Sequence, residues 1–268
     1  MLGAEDNALL TQVDPGTAMG EMIRQYWIPA VRSDEIPEPD GVPLRIRLLS
    51  ENLIAFRVTS GRVGVIQPVC AHRGASLFFA RNESEGLRCV YHGWKFDVTG
   101  QCVDMPGELL ENQGYKDKVK ARTYPTAERG GIIWVYMGPR EVPPPLPDIE
   151  PNMRAGSINV QMMDCNWVQA IENNMDTVHI GFLHFGAVDP DVSADWVDRR
   201  HGFRYMLEDR APRFVLKETE DGAWYAAYRD AEEDSYYYRI MMFHFPFFTQ
   251  SPAARIETSC AYVMLVPI

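Results

Sequence analysis

The pattern of apolar positions predicts a helical segment at the start of the chain and strands over much of the rest. Over residues 5–30, Met19, Ile23 and Trp27 recur at helical spacing. After that segment the period falls to two, which is typical of half-buried strands. The strands predicted in the first half of the chain are 44–48, 54–58, 63–66 and 131–137, with Ser60-Gly61 as a hairpin turn.

A proline-rich run at 142–147 is predicted to be an extended break between two domains. Beyond it the pattern predicts a strand at 157–163 and a helix at 166–184. The other strands predicted are 203–207, 214–219, 225–228, 236–244 and 261–266, with a hairpin turn at Asp221-Gly222.

The predicted fold class is therefore α+β, mostly antiparallel β. We divide the chain into a helical segment (1–37), a β domain (38–143) and a helix-plus-antiparallel-sheet domain (148–268). Because the sequence stops within a predicted strand, we expect the last domain to be incomplete at its C-terminal end.

Composition and charge exclude several classes of function. The 268 residues are 46% hydrophobic, which is ordinary for a folded protein. With 26 Lys+Arg against 37 Asp+Glu, the net charge of −11 argues against nucleic acid as a partner. No apolar run approaches the roughly 18 residues of a membrane helix, and no basic segment followed by an apolar one marks an export signal. We expect a soluble, cytoplasmic protein.

Four ligand-type residues form the first candidate site: Cys70-Ala-His72 and Cys89-Val-Tyr-His92. Paired Cys and His at short spacing bind either zinc or an iron–sulfur cluster. Side chains alternate along an extended backbone, so Cys70 and His72 point to the same side. Each loop then offers one thiolate and one imidazole, which suits a binuclear centre with two thiolates on one iron and two imidazoles on the other.

A second candidate site lies in the predicted helix and contains Asp176, His179 and His184. A polar stripe of this kind is also compatible with a solvated helix face. Histidines five residues apart are offset by roughly 140° on a helix, so they share a metal only if the helix bends, for example at Gly181. Two histidines and one carboxylate are the usual ligands of a non-haem Fe(II) that activates O₂.

The motif Cys-x-His-Arg-Gly with Cys-x-x-His-Gly-Trp-x-Phe resembles the [2Fe–2S] domain of Rieske non-haem iron ring-hydroxylating oxygenases. The resemblance implies Cys70 and Cys89 as thiolate ligands, and His72 and His92 as imidazole ligands, of a Rieske cluster. Asp-x-x-His-x-x-x-x-His resembles the motif of the family's catalytic domain and implies mononuclear Fe(II) on His179 and His184.

By the same resemblance, Asp176 is similar to the acidic residue that hydrogen-bonds between the iron site and the cluster domain of a neighbouring subunit. The start of the chain, with Asp14-Pro-Gly-Thr-Ala-Met19 and Gln25-Tyr-Trp-Ile-Pro29, looks like the phthalate dioxygenase branch. Members of that branch often attack aromatic carboxylates.

The resemblance implies the terminal oxygenase (alpha) subunit of a multicomponent system. An NAD(P)H-dependent reductase would supply electrons, and O₂ would be used to hydroxylate or O-demethylate an aromatic, carboxylated substrate. Trimers, in which one subunit's cluster serves the next subunit's iron, would be expected. The third iron ligand, a downstream carboxylate in the family, is not identified. That gap leaves open a Rieske-type electron-transfer protein without catalytic iron, and zinc at both sites is a further alternative.

The remaining cysteines and a group of aromatic residues are predicted to be structural. Cys102, Cys165 and Cys260 have no Cys or His close by in the sequence and are predicted to be core thiols. His201 and His244 are predicted to be satisfied by local hydrogen bonds. Residues 236–238 and 243–248 are predicted to pack in the core rather than to line a substrate pocket.

Overall fold

The computed structural model describes residues 2–146, 158–186, 203–252 and 260–268. It forms two compact units, Met1–Met162 with Val266–Ile268, and Met163–Leu265. Within the described residues no helix is both long and apolar enough to cross a bilayer.

The described elements are five α-helices, four 3₁₀ helices and sixteen strands. The α-helices are α1 Ala4–Thr11, α2 Ala18–Ile23, α3 Trp167–Met175, α4 Leu183–Gly186 and α5 Phe203–Glu208. The 3₁₀ helices are Ser33–Glu35, Leu77–Phe79, Leu110–Lys118 and His179–Gly181. The strands are β1 Trp27–Arg32, β2 Leu44–Leu48, β3 Glu51–Arg57, β4 Val63–Ile66, β5 Arg81–Glu83, β6 Gly86–Arg88, β7 Lys95–Phe96, β8 Cys102–Asp104, β9 Thr123–Tyr124, β10 Thr126–Arg129, β11 Ile132–Tyr136, β12 Arg213–Thr219, β13 Gly222–Asp230, β14 Tyr236–His244, β15 Phe248–Pro252 and β16 Cys260–Met264.

The first unit consists of three small antiparallel sheets, with strand orders β1-β11-β10, β2-β3-β4-β9 and β5-β6-β7-β8. The strands predicted at 44–48, 54–58, 63–66 and 131–137 are all confirmed, with ends shifted by a few residues. The predicted turn at Ser60-Gly61 is confirmed as well. Gly61 has φ +84°, a conformation that glycine adopts without steric cost.

The helical segment predicted over 5–30 is only partly confirmed. Helix α2 ends at Ile23, and Trp27 begins a strand that pairs with β11, opposite Tyr136. Apolar residues do recur at helical spacing from Met19 to Trp27. Strand β11, however, offers Trp27 a hydrogen-bonded partner that a local pattern does not reveal. Tertiary pairing therefore overrides the helical pattern at Trp27.

A buried ionic network attaches the end of α2 to the second sheet of this unit. Arg24 donates to the Val13 carbonyl at 3.0 Å and to Glu51 Oε1 at 3.0 Å. Tyr124 donates its hydroxyl to the other oxygen of Glu51 at 2.8 Å, and burial raises the pKa of Tyr124 to about 12. Because these buried charges have partners, the network fixes the helix on the sheet instead of destabilising it.

The first unit has a hydrophobic core around the third sheet, and two of the predicted ligands lie in that core. Phe56 and Phe96 are fully buried there, and each contributes about 2 kcal/mol by leaving water. Cys70 and Cys89 belong to the same cluster of buried side chains. The thiols are therefore anchored in the packed core of the unit.

The second unit places α3 beside a five-stranded antiparallel sheet, in the order β12-β13-β14-β15-β16. Each strand pairs with the next along the chain, so the sheet is a simple meander. This arrangement confirms the predicted α+β class and the Asp221-Gly222 hairpin turn. Glycine is required at 222, because a Cβ there would clash with the carbonyl oxygen of Phe243 on the next strand.

Two predictions for the second half of the chain are wrong, and one strand was missed. Residues 158–163 form no strand, residues 203–207 belong to helix α5, and strand β15 was not predicted. The helix forms because Met206 is fully buried against Ile180, with Leu207 and Tyr237 packed beside them. The alternation of apolar and polar residues over 203–207 is too short to distinguish a helix from a strand.

Candidate metal centres

The first candidate site is formed by two loops with the same backbone closure. In one loop the Gly74 amide donates to the Cys70 carbonyl at 3.0 Å, and in the other the Gly93 amide donates to the Cys89 carbonyl at 3.0 Å. Both glycines have positive φ, +69° and +77°. A residue with a side chain would be strained at these positive φ angles. The glycines therefore allow each loop to make the tight turn that follows its cysteine.

The two loops bring all four predicted ligands together. The rings of His72 and His92 are 4.6 Å apart, and the thiols of Cys70 and Cys89 interact in the buried core. Burial, together with the charge of Cys89, raises the pKa of Cys70 to about 11. A positive metal centre between the thiols would compensate for the cost of ionising them.

One buried atom at this site lacks a partner. Nδ1 of His72 has no hydrogen-bond partner among the described residues. A buried ring nitrogen without a partner is costly, and binding to a metal would satisfy it. The donor set of two thiols and two imidazoles therefore fits a [2Fe–2S] cluster.

Aromatic and ionic contacts stabilise the two ligand loops. The indole of Trp94 stacks on His72 at 4.4 Å with an interplanar angle of 10°, and Tyr91 packs on His92 at 3.8 Å. Arg88 donates to the Gly93 carbonyl at 2.8 Å and forms ion pairs with Glu83 and Asp104. His92 is exposed whereas the two thiols are buried, so the imidazole side of the site faces solvent.

The helix predicted over 166–184 is shorter than expected. It begins after Asn166, whose side chain accepts from the Val168 amide at 2.9 Å, and it ends at Met175. The carboxylate of Asp176 accepts from the Val178 amide at 2.7 Å and the His179 amide at 3.3 Å. A side chain that captures backbone amides in this way competes with the helix and favours a turn.

The segment between the two histidines is not a regular helix either: a 3₁₀ turn, His179–Gly181, precedes α4, and this departure near Gly181 brings the two imidazoles together. Nε2 of His179 lies 3.2 Å from Nε2 of His184. Two imidazole nitrogens that each lie about 2.1 Å from one metal, at a right angle, are separated by about 3.0 Å. Nδ1 of His179 lies 3.3 Å from Oδ2 of Asp176. A carboxylate behind a ligating histidine favours the tautomer whose Nε2 lone pair is free for the metal.

The histidine pair opens on a cavity of about 280 Å³. Its walls come from α3 and the turn after it and from strands β14 and β15; the lining residues are Asn173, Asn174, Asp176, His179, Ile180, His184, Arg239 and Ser251. A site of this size holds a metal and leaves room for a small molecule beside it.

Arg239 is the residue of this cavity that the sequence analysis missed. Nε of Arg239 is buried and has no hydrogen-bond partner among the described residues. The residue alternates in phase with Tyr237 and Met241, which are on the inward face of β14. This alternation along β14 was the signal in the sequence that could have placed Arg239 on the inward face.

The third iron ligand is still unassigned. Within the described ranges, no three or more His, Cys, Asp or Glu side chains are arranged around a single ion. For the first site this fits a binuclear centre, in which each iron takes two protein ligands. Among the carboxylates that follow His184, Asp230 pairs with Arg213 and Asp209 accepts from the Ala211 amide, while residues 189–198 lie outside the described part of the chain.

The structural predictions for the other singled-out residues have mixed outcomes. Cys102 is buried as predicted, but Cys165, which precedes the cap of α3, is exposed. His244 has the predicted local partner, Asp221, at 2.8 Å. Phe247 and Phe248 are buried, whereas Tyr236 and Tyr238 are about half exposed, because they are on the outer face of the sheet. The His201 and Cys260 side chains lie outside the described part.

Comparison with protein families matches both halves of the chain. Residues 26–113 match the Rieske [2Fe-2S] domain, and residues 135–267 match a domain described as LigXa C-terminal domain like. The first match contains Cys70, His72, Cys89 and His92, and the second contains Asp176, His179 and His184.

Individual relatives agree with these matches. The chain is 44% identical to the 3-chlorobenzoate-3,4-dioxygenase oxygenase subunit of Comamonas testosteroni, over 98% of this chain and 60% of that protein. It is 40% identical to the phthalate 4,5-dioxygenase oxygenase subunit of Pseudomonas putida, over 85% of this chain and 53% of that protein. The chain thus spans little more than half the length of these relatives.

A solved structure shares the fold. Dicamba monooxygenase bound to dicamba superposes with a TM-score of 0.63 at 22% identity, over 85% of this chain and 65% of that one. At this identity the similarity concerns the fold, in which a cluster-binding β domain precedes a catalytic domain.

Proposed function

Because the chain belongs to the Rieske non-haem iron oxygenase family, we propose that it acts as the terminal oxygenase component of a multicomponent system. A reductase would deliver electrons from NAD(P)H, and O₂ would be spent on hydroxylating or O-demethylating an aromatic carboxylate. One observation carries the proposal: two imidazole nitrogens 3.2 Å apart, with a carboxylate behind one of them, on the wall of a cavity.

The family's cofactors are a [2Fe–2S] cluster and a mononuclear non-haem iron. We assign Cys70 and Cys89 to one iron of the cluster and His72 and His92 to the other. The cluster supplies single electrons and the mononuclear iron activates O₂. Trp94 would hold the ring of His72 in place, and exposed His92 is the shortest path for electrons between the cluster and a partner protein.

At the second site, His179 and His184 would bind the mononuclear iron and Asp176 would support His179. Nδ1 of His179 has no hydrogen-bond partner among the described residues, and the Asp176 carboxylate 3.3 Å away would become its acceptor when the ring binds the metal, which would fix the tautomer and the plane of the ring. Asp176 is also partly exposed, so it can hydrogen-bond to another chain. We propose that it links the iron site to the cluster of a neighbouring subunit in a homo-oligomer, as the family's trimers would require.

The substrate would be held as an anion by Arg239. The guanidinium lines the cavity, and a carboxylate is the planar partner that it pairs with best. Arg229, fully buried on the neighbouring strand, adds a second positive charge on the same face of the sheet. Both relatives named above act on aromatic carboxylates, which agrees with a cationic cavity.

Arg239→Gln is expected to weaken the binding of 3-chlorobenzoate by about 10- to 100-fold, since a hydrogen bond to a charged group contributes about 1.5–3 kcal/mol. Calorimetric titration of the iron-loaded protein measures the effect. Binding of the uncharged 3-chlorobenzamide should change little, and Arg213→Gln, on exposed strand β12, is the matched control. Equal affinity of the parent and the Arg239 variant for the acid would contradict the assignment.

The second candidate function is a Rieske-type electron-transfer protein without catalytic iron. It is favoured by the lack of a third carboxylate among the described residues. A protein with either function would contain the coloured cluster, so colour does not distinguish them. They differ in whether a mononuclear iron is bound as well.

Metal content after anaerobic loading with Fe(II) decides between the two functions. The oxygenase requires about three irons and two acid-labile sulfides per chain, of which two irons belong to the cluster. About two irons and two sulfides would leave only the electron-transfer function. A colourless protein that contains zinc and no sulfide would contradict both.

A further inference from the structure

The C-terminal end of helix α3 is fixed by a phenol from the neighbouring sheet. The last carbonyl groups of a helix have no partner within the helix. The hydroxyl of Tyr225, on β13, donates a hydrogen bond to one of them, the carbonyl of Met175. The contact joins the sheet to the residue that immediately precedes Asp176.

The ring of Tyr225 is itself held firmly. It meets the ring of Phe214 edge-on at 5.7 Å, and it lies opposite the fully buried Met241 in the strand pairing. Burial raises the pKa of Tyr225 to about 12. The hydroxyl therefore keeps its proton, and its ability to donate, throughout the neutral range.

A second contact fastens the same helix end. The side-chain amide of Asn174 donates to the hydroxyl of Thr249, which is fully buried on β15. Tyr225 and Thr249 thus hold two successive residues of the last turn, Asn174 and Met175, from two different strands. Neither Tyr225 nor Thr249 lines the cavity. Tyr225 contacts the helix at the Met175 carbonyl, so its effect on the metal passes through the backbone, whereas Thr249 contacts the side chain of Asn174, which does line the cavity.

The backbone after Met175 leads directly into the metal site. The carboxylate of Asp176 reaches the amides of Val178 and His179 and lies 3.3 Å from His179 Nδ1. The direction in which Asp176 leaves the helix therefore sets where the imidazole of His179 points. A ring displaced by a few tenths of an ångström no longer shares an ion well with His184.

We propose that Tyr225, supported by Thr249, is a positioning residue for the mononuclear metal site, acting through the Met175 carbonyl on Asp176 and His179. The inference rests on the proposed function, in which His179 and His184 bind that metal. Removing the phenolic hydroxyl would let the helix end relax, while the two histidines and the cavity side chains would all remain.

The test is an anaerobic titration with Co(II) of the full chain carrying its cluster. Tyr225→Phe is expected to bind Co(II) about 10-fold more weakly than the parent, at the low end of the 10–100-fold effect of residues behind metal ligands. The visible bands of bound Co(II) should change as the ligand geometry changes. Tyr228→Phe, a partly buried tyrosine on the same strand that packs on Tyr238 and Arg213 instead, is the matched control.

The outcomes separate the inference from the proposed function. A parent protein that binds no Co(II) beyond its cluster would overturn the proposed metal site and the inference with it. A parent that binds tightly, with Tyr225→Phe indistinguishable from Tyr228→Phe in affinity and spectrum, would overturn the inference alone. If Tyr225→Phe does not fold, Thr249→Val decides, because it removes the contact to Asn174 at nearly constant volume: weaker Co(II) binding supports the inference and parental binding overturns it.

Discussion

His184→Ala is expected to abolish tight binding of Fe(II) at the second site, with a loss of affinity of more than about 100-fold. The two imidazole nitrogens are 3.2 Å apart, so each needs the other to chelate one ion. Asp176 does not replace the missing ligand, because its carboxylate faces the Val178 and His179 amides and the Nδ1 side of the His179 ring, not the Nε2 side. O₂-dependent product formation should fall to background, while the absorption of the [2Fe–2S] cluster stays unchanged.

His244→Ala is the matched control for this experiment. His244 is also a partly exposed histidine of the second unit, but its Nδ1 is bound to Asp221 at 2.8 Å, at the β12–β13 turn. Its removal should leave Fe(II) affinity within a factor of about two, since it neither lines the cavity nor touches His179. Parental Fe(II) affinity in His184→Ala would contradict the second site.

The residues of the first site were predictable because their spacing is local. Cys70 and His72 share one loop, Cys89 and His92 share another, and each loop is closed by its own glycine. Chemistry of this kind is encoded within a few residues. What the local sequence did not contain was the support: the stacking of Trp94 on His72 and the ion pairs of Arg88 arise only when β5, β6 and β8 are paired.

The second site was predictable in its residues but not in its shape. Helical periodicity continues past Met175, and it predicts one helix through both histidines. The helix instead ends where Asp176 captures two amides, a competition between side chain and backbone that periodicity does not weigh. Arg239 and Tyr225 come from strands far along the chain, so no local pattern connects them with α3.

The cysteines show the same limit, because burial alone does not distinguish a ligand from a core thiol. Cys70 and Cys102 belong to one hydrophobic core, and burial raises the pKa of both. They differ in their neighbours. Cys70 meets the thiol of Cys89, and its loop carries His72, whose ring packs on His92, whereas the thiol of Cys102 contacts backbone groups, among them the Asp104 carbonyl at 3.5 Å.

Cys70→Ala and Cys102→Ala should therefore behave very differently despite equal burial. Cys70→Ala is expected to lose the cluster entirely, giving a colourless chain with no acid-labile sulfide after reconstitution, because one iron would retain a single thiolate. It should also unfold far more easily than the cluster-bound parent, since the free energy of cluster binding stabilises the fold. Cys102→Ala should keep full cluster absorption and lose only about 1 kcal/mol of stability from a small cavity. Absorption spectra, sulfide content and thermal unfolding of the two variants measure this difference, and retention of the cluster by Cys70→Ala would show that burial and loop closure, and not ligation, account for that cysteine.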